Sequence, residues 1–250
     1  MEHDLDDILL ETRIAARIVV DPRGGPIRRI INGRHCKPTG RYSSVKARRA
    51  LPWEDKRERE YFWHCEADAG VVTYLAQPHR LELKVGLPDP LIYFPDVQRA
   101  LADGITEIIE IKNVYDPRSD PIYDLKLRLA AEVYQRLGWR FRIVGAHEIE
   151  CRQTLRTASA VQRYRHVKLS LHEMWKVTDL IQAEGGATSF SRVAEALGGG
   201  PAADAKVCAS IVRRFTWIDI TSRLSPETSV HLAPFVTIPP CRSLRGLECD

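Results

Sequence analysis

Several absences narrow the reading of this chain before any motif is considered. No apolar run in the 250 residues approaches the roughly 20 that a bilayer span needs, so no membrane partner is expected. The six cysteines (Cys36, Cys65, Cys151, Cys208, Cys241 and Cys249) include no CxxC pair. That spacing argues against a zinc site and fits free thiols in a reducing cytoplasm, the expected location. The opening residues MEHDLDDILLETR are acidic where a secretory signal is basic. There is no internal repeat and no low-complexity tract. What remains is an ordinary globular composition, long enough for one large domain or two smaller ones.

Acid is also missing locally. From Pro22 to Trp53 the chain carries Arg23, Arg28, Arg29, Arg34, Lys37, Arg41, Lys46, Arg48 and Arg49 and no Asp or Glu. A second acid-free run carries Arg152, Arg156, Arg163, Arg165 and Lys168. Such runs neutralise phosphates and release counterions, and a solvated linker has the same composition. Arg41, Lys46 and Arg48 are the expected phosphate contacts.

Hydrophobic spacing gives the coarse layout. Leu5, Ile8, Leu9, Leu10, Ile14 and Ile18 approximate a helical stripe over residues 2 to 19. Residues 21 to 50 are rich in Pro and Gly and read as an irregular basic arm. A helix is expected over 53 to 67, strands at Val71 to Leu75, Leu81 to Val85, Leu91 to Phe94 and Thr106 to Lys112, and a turn at Pro88, Asp89 and Pro90. Leu125, Leu129, Val133 and Leu137 predict a helix over 122 to 137, ended by Gly138 and followed by a strand from Trp139 to Val144. Helices over 171 to 184, 189 to 197 and 204 to 215, then a hairpin of Trp217 to Ile220 with Ser229 to Leu232, resemble a winged helix. The class is mixed α/β. The expected division is an N-terminal helix and basic arm (1–50), a core (51–150), a basic linker (151–168) and a winged-helix-like domain (169–250).

The chemistry centres on Tyr93-Phe94-Pro95-Asp96 and Ile108-Ile109-Glu110-Ile111-Lys112. Phosphodiester hydrolysis uses a metal ion to polarise a phosphoryl oxygen and acidify a water. Mg²⁺ takes oxygen ligands, commonly one or two carboxylates plus phosphate. Asp96 at one strand end and Glu110 on a neighbouring strand can supply them. Residues two apart on a strand share a face, so Lys112 joins Glu110 beside the developing phosphoryl charge. Ile109 and Ile111 then face the other way, toward the following helix. The bland alternative is a polar edge strand and an ordinary Pro-Asp turn. Glu54 and Glu58 share a face of the preceding helix and can offer a further carboxylate. His64 and His79 read as structural histidines, since Mg²⁺ sites favour oxygen. Trp53, Trp63 and Trp139 read as core, and Gln77 as a strand-end polar residue.

Taken in order, Gly40-Arg-Tyr-Ser-Ser-Val-Lys46, Glu54-Asp-Lys-Arg-Glu58-Arg-Glu-Tyr-Phe, Asp68-Ala-Gly-Val-Val72, Gln77-Pro78, Pro95-Asp96 and Glu110-Ile-Lys112 resemble TnsA-family transposon endonucleases of the PD-(D/E)XK nuclease superfamily. The resemblance covers roughly residues 35 to 150, and more loosely the C-terminal region. It departs at Asp55, where the family often has serine, and at Ala69, where proline is common. It implies a restriction-endonuclease-like mixed sheet flanked by helices. It implies Glu58 (with Glu60 the runner-up), Asp96, Glu110 and Lys112 as the catalytic set, the three carboxylates holding Mg²⁺, with Mn²⁺ able to substitute. It further implies a subunit of a heteromeric cut-and-paste transposase that cuts the 5′ ends of a mobile element in double-stranded DNA. An integrase-like transposase subunit and an AAA+ regulator ATPase would be its partners. A stand-alone restriction or repair nuclease of the same fold, or a non-catalytic DNA-binding adaptor, are the alternatives.

Overall fold

A computed structural model describes residues 15–28, 38–86, 89–234 and 248–249. From the N-terminus the elements are β1 (Ala15–Val20), β2 (Gly40–Ser44), β3 (Arg49–Trp53), α1 (Lys56–Ala67), β4 (Val71–Ala76), β5 (His79–Lys84), β6 (Leu91–Tyr93), β7 (Val97–Leu101) and β8 (Thr106–Lys112). They continue with α2 (Pro121–Arg136), β9 (Arg140–Gly145), α3 (Ala146–Ile149), α4 (Arg152–Arg163), α5 (Leu171–Ala183) and β10 (Ala187–Ser189). The last are α6 (Phe190–Ala196), α7 (Gly200–Val212), β11 (Thr216–Trp217), β12 (Ser229–Leu232) and β13 (Glu248–Cys249). The fold is mixed α/β with several sheets and no barrel among the described residues.

The central sheet has the order β4-β7-β8-β9. β4 pairs antiparallel with β7 and β7 with β8, whereas β9 is parallel to β8. A parallel pair needs a long crossover, and α2 supplies it. α2 starts where Asp120 accepts from the Tyr123 N–H and Pro121 fills the first turn. It ends at Gly138, whose φ of 73° turns the chain into β9. β8 is buried on both faces. Ile108 joins Leu125, Leu129 and Val133 of α2 in one cluster. Ile109 joins Tyr61 and Phe62 of α1 in another. Ile109 and Ile111 therefore pack against the preceding helix, not against the following one as the alternation predicts.

A second sheet, β13-β1-β5-β6, lies beside this core. Its first part corrects the expected N-terminal helix. Residues 2 to 14 lie outside the described residues, but Ala15–Val20 is a strand paired along its length with β5, Val20 opposite His79 and Ala15 opposite Lys84. The expected basic arm is also partly regular, because Gly40–Ser44 and Arg49–Trp53 form a hairpin. Gly40 is required there: a Cβ would lie 2.5 Å from the Trp53 ring. The segment 151–168, expected as a linker, contains α4, whose Ala158 and Val161 are fully buried among the C-terminal helices. Of the expected turn at 88–90, residue 88 lies outside the described residues.

Beyond α4 the order is α5, β10, α6, α7, β11, β12, with a three-stranded sheet β10-β12-β11 closing the helices. α5 opens with a capping box in which Ser170 and Glu173 satisfy each other's amides. Cys65, Cys151 and Cys208 are free thiols, and Cys36 and Cys241 lie outside the described residues.

Candidate active site

The antiparallel register Val97↔Ile109 brings Asp96, one residue before Val97, level with Glu110. The pairing is fixed at this point by the Ile111 N–H, which donates to Asp96 Oδ2 across 2.7 Å. The turn preceding β5 holds the same residue from behind, since the Gln77 N–H donates to the Asp96 carbonyl at 2.7 Å. Gln77 is buried and sits at φ 44°, a left-handed conformation unusual for a residue with a side chain. Such strain persists where surroundings over-determine it, and here it fixes the backbone of Asp96. Gln77 is thus more than the strand-end polar residue its sequence position suggested.

Glu110 is buried, and both its oxygens are occupied. Tyr93 donates to Oε2 at 2.7 Å and Tyr123 to Oε1 at 2.5 Å. Lys112 Nζ reaches Oε1 at 2.9 Å, and the same ammonium lies 4.2 Å from the centre of the Tyr123 ring. The expected same-face pairing of Glu110 and Lys112 is therefore present. Tyr93 and Tyr123 were not singled out from sequence. Tyr93 stands in the quoted stretch before Asp96, but the role of Tyr123 depends on the Asp120 cap that opens α2 and has no sequence signal of its own.

Glu58 enters from the first turn of α1, which Asp55 caps by accepting from the Arg57 N–H. Its Oε2 accepts from the Glu54 N–H at 2.8 Å. Burial, followed by the charges of Glu54, Asp55 and Glu110, pushes the Glu58 carboxyl up to about 7, while the Glu54 N–H opposes the rise. Burial, then the charges of Glu110 and Glu58, also hold Asp96 well above the ordinary carboxylate range, against the Ile111 N–H and Lys112. Glu58 and Asp96 thus each feel the charge of Glu110, and Asp96 also feels that of Glu58. Glu60 takes no part: it is buried and paired with Lys56 at 3.2 Å.

Among the described residues, no three His, Cys, Asp or Glu side chains are arranged as they stand to hold a metal ion. The donor set nevertheless suits a hard divalent cation: it offers three carboxylates, two of them pushed toward protonation by burial and then by neighbouring negative charge, and one ammonium paired with the third. Asp96, Glu58 and Glu110 are the groups that would hold it, with Glu110 yielding a phenol or ammonium contact to do so.

The other expected residues find varied places. His79 is a core residue, its Nε2 2.7 Å from the Tyr134 hydroxyl and its pKa lowered by burial to about 4. His64 Nε2 lies 2.9 Å from the Ile149 carbonyl. Trp139 stacks on Tyr134 in the core. Arg41 and Arg48 are exposed on the β2–β3 hairpin. Lys46 has a different task. Its ammonium donates to the carbonyls of Cys65 at 2.8 Å and Asp68 at 2.6 Å, closing the C-terminal end of α1. That geometry gives Lys46 a structural task at the helix end, which its expected role as a phosphate contact did not include. Ser44 adds a hydrogen bond to the buried Glu66, so Ser44-Val45-Lys46 clasps the hairpin to the helix. Arg28 was counted only as part of a basic run, yet it lies 5.3 Å from the Phe94 ring centre and 3.8 Å from Glu54, beside the acidic site.

No protein-family model matches the chain, and no curated protein matches it significantly.

Proposed function

We propose that this chain is a divalent-metal-dependent DNA endonuclease that hydrolyses a phosphodiester at the site formed by Glu58, Asp96, Glu110 and Lys112. The observation that carries the reading is the convergence of Asp96 and Glu110 on adjacent strands, with Lys112 paired to Glu110 and the Glu58 carboxyl raised by burial and then by the charges of Glu54, Asp55 and Glu110. Bound Mg²⁺ would supply a Lewis acid and an acidified water. The chain's own contribution is to orient Asp96 through the Ile111 amide, to keep Glu110 in place between two phenols, and to set an ammonium where phosphoryl charge develops. The succession α1-β4-β7-β8-α2-β9, with three antiparallel strands and a parallel fourth, supports a restriction-endonuclease-like core of the PD-(D/E)XK type.

The more specific reading is a TnsA-like subunit of a heteromeric transposase, cutting the 5′ ends of a mobile element in the cytoplasm beside an integrase-like subunit and an AAA+ ATPase. Two features favour a partnered enzyme over a stand-alone restriction or repair nuclease. The C-terminal order α5-β10-α6-α7-β11-β12 suits a winged-helix-like module. Val114 and Ile122, 80% and 65% exposed, flank the loop that follows Lys112 and leave apolar surface next to the site. No helix among the described residues is long and apolar enough to cross a membrane. The test is nicking of supercoiled and linear transposon-end DNA with Mg²⁺ or Mn²⁺, with and without the partner subunit. Asp96→Ala and Lys112→Ala are expected to abolish cleavage while leaving DNA binding in place. Undiminished nicking by either variant would sink the assignment.

A further inference from the structure

α4 lies across α1 and leaves an open cavity of about 440 Å³ between them. The cavity is separate from the acidic site. Trp63, its contribution from α1, is five residues after Glu58, about 140° further round the helix. From α4 and its end come Leu155, Arg156, Ser159, Arg163 and Tyr164. The volume lies within the roughly 300 to 1,000 Å³ typical of small-ligand pockets.

Its lining has two chemistries. Arg156 and Arg163 are exposed, and among the described residues neither guanidinium has a carboxylate or hydrogen-bond partner. The whole segment 151–168 carries no acid that could neutralise them. They are set for an anion, and a guanidinium fork matches phosphate oxygens in particular. The same lining also carries two aromatic side chains, Trp63 and Tyr164. Trp63 packs against two core clusters, as expected, yet it is only partly buried and also lines the opening. Its ring is also fixed. Arg59 sits between two indoles, 5.2 Å from the Trp53 ring centre and 5.1 Å from that of Trp63, so Trp63 is one end of a Trp-Arg-Trp stack. A held aromatic plane in one cavity with phosphate-matching cations is what an unstacked nucleobase and its flanking phosphates require.

We propose that the α1–α4 cavity is a nucleotide subsite that takes one unpaired base of a DNA strand against Trp63 and its phosphates on Arg156 and Arg163. The proposal rests on the DNA-cleaving reading above and adds to it a single-stranded element of the substrate. A base inside a continuous duplex stack cannot enter such a concavity, so the occupant is a strand that is frayed or already nicked.

The experiment uses the full chain in EDTA, where no cleavage occurs, with a fluorescent single-stranded oligonucleotide of about 12 nucleotides and a duplex of matching sequence. Arg156→Ala/Arg163→Ala is expected to weaken single-strand binding by roughly tenfold and to leave duplex binding within about twofold. Trp63→Phe is expected to remove the part of the intrinsic fluorescence that the oligonucleotide quenches. The arginine pair lies on the surface, so that variant stays informative even if the tryptophan variant does not fold. Single-strand binding unchanged in the arginine variant overturns the subsite and leaves the nuclease reading intact. Equal competition by free dTMP at the same nucleotide concentration overturns it in favour of a free-nucleotide site. A wild-type chain that binds neither single strand nor duplex overturns both readings.

Discussion

The Ile111 amide donates to Asp96 Oδ2 across 2.7 Å, and Ile111 directly follows Glu110 in the chain. One hydrogen bond thereby holds a carboxylate beside another carboxylate, and Glu58 adds a third charge. Without a cation this is a destabilising arrangement. Glu58 has a folded-state value near 7, above its ordinary 4.5, so its favourable contribution is complete below about 4.5 and is lost as pH rises through about 7. Asp96 shifts in the same direction. The cation-free chain is therefore expected to lose thermal stability between about pH 5 and pH 8, and Asp96→Asn is expected to flatten that loss. Near pH 8 the variant should melt higher than the parent. Differential scanning calorimetry with and without Ca²⁺ checks it. Ca²⁺ should stabilise the parent and not Asp96→Asn. A flat pH profile for the parent would mean that the carboxylates do not repel one another in solution.

The two phenols on Glu110 are not equivalent. Tyr93 is buried and Tyr123 half-buried. Removing the Tyr93 hydroxyl leaves Glu110 Oε2 without its only protein donor among the described residues, whereas Oε1 keeps Lys112 when Tyr123 loses its hydroxyl. Tyr93→Phe is expected to cost about 1 to 3 kcal/mol in urea unfolding and Tyr123→Phe less than about 1 kcal/mol. Tyr123→Phe is also expected to tighten divalent-cation binding, because it releases an oxygen of Glu110. Isothermal titration with Mn²⁺ reads that directly, and weaker binding would show that the phenol supports the ligand set instead of competing with it.

How much of this could be read from sequence depended on whether burial left a regular period. Leu125, Leu129 and Val133 face one buried cluster, so α2 was plain from its spacing. Val71–Ala76 and Thr106–Lys112 were equally legible, and with them the neighbourhood of Asp96 and Glu110. β7 was not foreseen. It is a central strand that carries Arg99, which pairs with the buried Glu107 of β8 at 2.5 Å, and a charge paired within the sheet breaks the apolar alternation. Ala15–Val20 was read as helix because its partner, β5, lies some sixty residues away and leaves no local mark. In β2 and β3 an alternation exists at Tyr42, Ser44 and Leu51, but exposed arginines and glycine hide it. α4 buries small residues, Thr157, Ala158 and Val161, beneath its arginines, so composition suggested a linker. The tyrosines on Glu110 and the strained Gln77 depend on contacts between distant segments, which residue spacing cannot show.

Lys46 and Arg41 belong to the same basic run and are expected to behave oppositely. Lys46 donates to two carbonyls at the end of α1, and Lys46→Met leaves those partly buried acceptors without an ammonium. A loss of about 1 to 3 kcal/mol is expected, read as a lower urea midpoint, with little change in the salt dependence of DNA binding. Arg41→Ala, on the exposed side of the hairpin, is expected to leave the midpoint unchanged. If Lys46→Met instead weakened DNA binding at full stability, its ammonium would be reaching phosphate and not the helix end.

Arg41 and Arg48 then carry a prediction about the substrate itself. Both side chains are exposed on the hairpin, and among the described residues neither has an ion-pair partner. A phosphate contact releases condensed counterions, so each adds roughly 0.9 to the slope of log affinity against log salt on duplex DNA. Arg41→Ala/Arg48→Ala is expected to lower that slope by about 2 and to weaken binding to unrelated duplex sequences by the same factor as to any preferred one. Anisotropy titrations from about 50 to 200 mM salt measure it. A slope unchanged within error would remove the hairpin from the DNA-binding surface. A loss confined to one sequence would make these arginines readers of bases rather than anchors on the backbone.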